Sequence, residues 1–105
     1  MATEQGEAVW LHAEHRVTIV ELAECSGLAE EVVRELVDYG ALSPLDPVAG
    51  VLDFNARCVA SVRAAVRLSQ DLELDTPALA LVVSFLERID ALETRLRELN
   101  AKLPR

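Results

Sequence analysis

A chain of 105 residues that is 51 % apolar but only 4 % aromatic can build one small aliphatic core, with or without an extension, and leaves little room for a substrate cleft. Its net charge of −8 is unevenly placed: residues 1–54 hold eleven acids and two bases (net −9), residues 55–105 seven acids and eight bases (net +1), so the first half repels nucleic acid. No apolar run approaches the roughly 20 residues of a membrane span. "MATEQGEAVW" also has acids where a signal peptide is basic, so a cytoplasmic chain is expected.

In chain order, residues 8–16 ("AVWLHAEHR") alternate loosely, with Val9, Leu11 and Ala13 on one side, which predicts a short strand. In "TIVELAECSG", Thr18 and Glu21 have capping-box spacing, Ile19, Leu22 and Ala23 face inward, and Ser26-Gly27 ends a first helix. A second helix is predicted from about Ala29 to Tyr39, with Val32, Val33, Leu36 and Val37 buried. Its opposite stripe is Glu31, Arg34, Glu35 and Asp38. Gly40 ends it and Pro44 prevents its resuming, and "ALSPLDPVAGVLDF" reads as a turn and short ribbon, where a winged helix-turn-helix places its wing.

Asn55 is the expected cap of a third helix reaching about Glu73, with Val59, Val62, Val66 and Leu72 inward and Arg63 and Arg67 in water. "ELDTPALA" is a break, with Thr76 as N-cap and Pro77 opening a last helix. That helix, to about Leu103, spaces Val82, Phe85, Ile89, Leu92, Leu96, Leu99 and Leu103 at alternating intervals of three and four, a coiled-coil seam. At about 1.5 Å per residue it is roughly 40 Å long, too long for so small a head to bury, so a homodimer is expected. The g positions Arg88, Arg95 and Lys102, with Glu93 at an e position, mildly favour parallel pairing. The expected architecture is mainly α: a helix-turn-helix head with a third helix over residues 1–75 and a coiled-coil dimerisation helix over 76–105.

Cys25 and Cys58, 33 residues apart in apolar-patterned segments, are expected as free buried thiols. His12 and His15 would point to opposite faces of a strand, so no metal site is expected. There is no Gly-rich phosphate loop, GxSxG or HExxH, which argues against an enzyme and leaves no cofactor to expect.

The order of elements resembles MerR-type regulators, and "TIVELAECSGLAEEVVRELVDYGALSP" is similar to their head. The chain also resembles a branch of that superfamily, the CbpM-like chaperone modulators. The segment "RAAVRLSQDLELDTPALALVVSFLERIDAL", with Arg63, Val66-Arg67-Leu68, Asp71-Leu72, Leu74-Asp75 and Pro77, looks like the stretch joining their third helix to the last. "GLAEEVVRELVDYGALSP" looks like their acidic second helix. The resemblance implies binding to the J-domain of a CbpA/DnaJ-type co-chaperone, inhibition of its stimulation of DnaK (Hsp70), and damping of its DNA binding. J-domains present a basic helix, which an acidic surface would suit. The implied contacts are Glu31, Arg34, Glu35 and Asp38, with Asp71, Glu73 and Asp75 at the bend. The competing expectation is a dimeric DNA-binding regulator, for which residues 28–54 offer only Arg34 as a base. A third is a ligand-responsive domain with Cys58 in its pocket.

Overall fold

The computed structural model describes residues 15–47 and 50–103. Its elements are β1 (Arg16–Thr18), α1 (Ile19–Ser26), α2 (Glu30–Asp38), β2 (Asp53–Asn55), α3 (Cys58–Leu72) and α4 (Thr76–Lys102). β1 and β2 pair antiparallel, with Val17 opposite Phe54 and Thr18 opposite Asp53. Val17 and Phe54 point together into the core, while Arg16 reaches diagonally to Asp53 at 3.8 Å on the outer face. The predicted strand over 8–16 lies almost wholly outside the described residues; the observed strand falls where residues 53–55 can pair. The ribbon after α2 therefore exists, but its partner is β1.

Both ends of the ladder are extended by backbone bonds. Ile19 N–H donates to Leu52 O at 3.1 Å, and Ala56 N–H donates to His15 O at 3.0 Å. The capping box at α1 is complete: Glu21 N–H donates to Thr18 Oγ1 at 3.1 Å and Thr18 N–H donates to Glu21 Oε1 at 2.8 Å. Gly27, at φ 76°, closes the helix in the left-handed conformation that glycine adopts without strain. α2 starts at Ala29, which has no side-chain cap; Glu30 and Glu31 in its first turn suit the positive end of the helix dipole.

One aliphatic core joins all the elements. Val17, Leu22, Val33, Leu36, Phe54 and Val62 are sealed in it with Leu79, Ala80 and Val83 of α4. Val32 and Val37 pack half-buried beside Val33 and Leu36, as the α2 pattern requires.

Four local expectations change. Cys25 is exposed, because the inward stripe of α1 is Ile19, Leu22, Ala23 and Ser26. Ser26 can take the core position because its hydroxyl donates to Leu22 O at 2.6 Å. Asn55 does not cap α3: its Oδ1 accepts from Arg57 N–H at 2.9 Å and turns the chain out of β2, while Arg57 occupies the N-cap without a side-chain bond. Leu72 is 64 % exposed, since it sits in the last turn of α3 beyond the core. The cap of α4 is Asp75, whose Oδ1 accepts from Ala78 N–H at 3.0 Å; Thr76 is already helical and Pro77 lies in the first turn.

Candidate docking surfaces

Glu31, Arg34, Glu35 and Asp38 all stand exposed on the outer face of α2, because Val33 and Leu36 turn the opposite face into the core. Arg34 sits one turn from Glu30, Glu31 and Asp38, yet no ion pair within 4 Å joins it to any of them. The stripe therefore presents unneutralised carboxylates, and Tyr39, 55 % exposed, lies just beyond its end. α2 packs on α1 and α4, which fixes this face relative to the rest of the head.

The second acidic group lies at the α3–α4 bend. Asp71, Glu73 and Asp75 are all exposed there. Glu73 closes α3 at φ 53°, ψ 48°, donating its N–H to Ser69 O. Two of the three acids thus shape the bend, Glu73 by its backbone and Asp75 by its cap. No hydrogen bond or ion pair among the described residues joins this group to the α2 stripe.

The third surface is apolar. At 3.6 residues per turn, Leu79, Ala80 and Val83 mark the face of α4 that meets the head, and the opposite face carries Phe85, Ile89, Leu92, Leu96, Leu99 and Leu103. These six are between 49 and 64 % exposed. Val82 falls between the two faces and packs half-buried against the core, whereas Leu81 extends the exposed stripe towards the helix start.

Beyond Leu86 the head-facing side of α4 turns polar, a feature that seam counting did not isolate. Arg57, just ahead of α3, donates from Nη2 to Thr94 Oγ1 at 2.9 Å and lies 3.7 Å from Asp90 Oδ2. These contacts hold the middle of α4 against the head. The signal was available in the phase of the helix: Asp90, Thr94 and Arg97 continue the line of Val83 and Leu86, on the side away from the seam.

Arg57 also borders a groove of about 480 Å³, lined in part by Cys58, Phe54 and Glu87. The Cys58 thiol is pushed up to about 12, first by burial, then by the charge of Glu87, against a smaller opposing backbone hydrogen bond. It is a protonated core group at neutral pH. Burial also raises the Glu87 carboxyl, and Asp90 adds to this, while a hydrogen bond with Ser61 and the charge of Arg57 oppose it. His15 is described but His12 is not, and no group of three or more His, Cys, Asp or Glu among the described residues could hold a metal. No described helix is long and apolar enough to cross a membrane.

A capped first helix, a tight turn at Gly27, a second helix, a strand returning to the N-terminal one and a long final helix define the MerR class of helix-turn-helix proteins. A model of the MerR HTH family of regulatory proteins matches residues 17–101, which includes every helix of the head and nearly all of α4. The chaperone modulatory protein CbpM of Salmonella arizonae is 34 % identical over 86 residues, 82 % of this chain and 81 % of that one. That of Citrobacter koseri is 33 % identical over 88 residues, 84 % of this chain and 87 % of the relative. The chain belongs to the CbpM family of MerR-like proteins. The names of these relatives and of the family describe modulators and regulators, not enzymes.

Proposed function

We propose that this protein is a chaperone modulator that binds the J-domain of a CbpA/DnaJ-type co-chaperone, blocks its stimulation of DnaK (Hsp70) and lowers its DNA binding. The acidic face of α2 is the docking element in this reading, and the bend at Asp71, Glu73 and Asp75 is a second contact. The observation that carries it is the state of α2. The helix that would enter a DNA groove in this fold exposes Glu31, Glu35 and Asp38 with no ion pair to Arg34. Carboxylates in that position repel phosphate and attract a basic protein helix. Opposite charge speeds and orients the encounter, while apolar neighbours such as Tyr39 supply holding energy.

The protein works as a homodimer in this account. Phe85, Ile89, Leu92, Leu96, Leu99 and Leu103 form a continuous apolar row that the head leaves uncovered, and a second α4 is its natural cover. A DNA-reading dimer would use the same seam but would need cations on α2 or the ribbon, and Arg34 is the lone base of residues 28–54.

Two assays on the purified protein separate these readings. Immobilised J-domain should retain it, and a gel shift with duplex DNA at low salt should show no complex. A DNA complex without J-domain retention would overturn the proposal.

A further inference from the structure

Where α1 ends, α3 begins and α4 passes its midpoint, the chain leaves an open cleft of about 760 Å³. Its charged lining is Arg57, Arg63, Arg97 and Asp90, and the exposed thiol of Cys25 stands on its α1 side. Ala56 and Val59 in its wall are already buried in the core, so the cleft offers little uncovered apolar surface. Its chemistry is that of the arginines.

Two of these cations are held side by side. Thr94 Oγ1 accepts from Arg57 Nη2 at 2.9 Å and from Arg97 Nη2 at 3.2 Å, so one hydroxyl gathers two guanidinium groups. Their charges repel at this range, and a neutral hydroxyl does not offset them. Asp90, 3.7 Å from Arg57 Nη2, is the one carboxylate of the lining, and no ion pair among the described residues takes up Arg63 or Arg97. Three positive charges against one negative leave the lining at +2, in a chain of net charge −8.

That imbalance selects a class of ligand. A carboxylate or a phosphodiester brings a single negative charge, whereas a phosphate monoester brings about −1.5 to −2 at neutral pH. Its three terminal oxygens also match the paired donors of guanidinium forks. Duplex DNA is further disfavoured by the net charge of −9 on residues 1–54, which include the α1 side of the cleft.

We propose that the cleft between α1, α3 and α4 binds a terminal phosphate group, as inorganic phosphate or the monoester of a small molecule, through Arg63 and Arg97 with Arg57 beside them. Arg63 belongs to α3 and Arg97 to α4, so the bound group ties the two helices together where Arg57 already clasps α4. The site lies on the head side of α4, away from the Phe85–Leu103 row, and leaves that row free. The inference does not depend on which partner α2 binds.

Calorimetric titration of the full chain with inorganic phosphate and with a nucleoside monophosphate, at ionic strength held constant with chloride, tests this. Both should bind and raise the melting temperature, and acetate should do neither. Arg63→Ala with Arg97→Ala should bind at least about tenfold more weakly, with helix content unchanged by circular dichroism. Arg57 stays in place there because it clasps α4. Arg34→Ala, on α2 and outside the cleft, should bind as the wild type does. Tighter binding of the nucleoside monophosphate assigns the group to an ester, and equal or weaker binding assigns it to free phosphate; both support the site. In the wild type, saturating nucleoside monophosphate should also slow alkylation of Cys25, the exposed thiol of the two. No binding of either ligand by the wild type would overturn the proposal. Wild-type affinity in the double arginine variant, equal binding of acetate, or an unchanged alkylation rate would overturn it as well.

Discussion

Replacing Leu96 and Leu99 together by alanine tests the seam where it is farthest from the head. Neither side chain belongs to the core, and they are 59 and 53 % exposed, so the substitutions leave the fold of the monomer alone. Alanine also has the best helix propensity, which preserves α4. Full burial of a leucine is worth about 1.5–3 kcal/mol, and roughly half of each side chain remains to be covered, so each contributes about 1–1.5 kcal/mol to pairing. A dimer contains four such side chains, giving about 4–6 kcal/mol in all. At 1.4 kcal/mol per tenfold, the dissociation constant should rise by about three to four orders of magnitude. Sedimentation over a dilution series measures this, with circular dichroism as the check that the head remains folded. Wild-type association in the double variant, or a wild type that stays monomeric at every concentration, would refute the seam.

Asp75→Ala removes the side-chain cap of α4 and should cost about 1 kcal/mol in urea unfolding. Glu73→Gly should act in the opposite direction, since glycine occupies the left-handed conformation at φ 53° more cheaply; a gain of up to about 1 kcal/mol is expected in the same assay. Glu87 has its folded carboxyl raised chiefly by burial, so its favourable contribution is complete below the ordinary carboxylate range and is lost as pH rises through the raised value. Glu87→Gln should therefore match the wild type in acid and exceed it at neutral pH by a few tenths of a kcal/mol after solvent screening. Melting temperature against pH for both proteins reads the crossover, and a more stable wild type at neutral pH would contradict it.

The helices were legible because their signals are local. Thr18 with Glu21, Gly27, Gly40 and Pro77 sit within a few residues of the ends they define, and the spacing of Val33 with Leu36 fixed which face of α2 is buried. The cap of α4 falls on Asp75 and not on the expected Thr76, because the helix starts one residue earlier and the Asp75 carboxylate meets the Ala78 N–H. Asn55 has capping chemistry too, but it stands three residues before α3 and its side chain serves the turn that leads into the helix. Cys25 lies in an apolar-patterned segment yet is exposed, because the rotation of α1 gives the inward position to Ser26.

The docking surfaces divide in the same way. The acidic face of α2 followed from its helical period, and so did the row from Phe85 to Leu103. The contacts of Arg57 with Asp90 and Thr94 span more than thirty residues, and no local pattern announces them. The cleft beside Arg63 and Arg97 is likewise a product of tertiary packing, in which three helices bring separated arginines together.

The most direct test of the account is calorimetric titration of the J-domain into the wild type and into the variant Glu31→Lys with Glu35→Lys, at two salt concentrations. The account predicts that the wild type binds and that added salt weakens it. The variant, four charge units more positive on α2, should bind at least about tenfold more weakly with a flatter salt response. Equal affinities for the two proteins would contradict the assignment of α2 as the docking helix, and absence of binding by the wild type would contradict the functional reading itself.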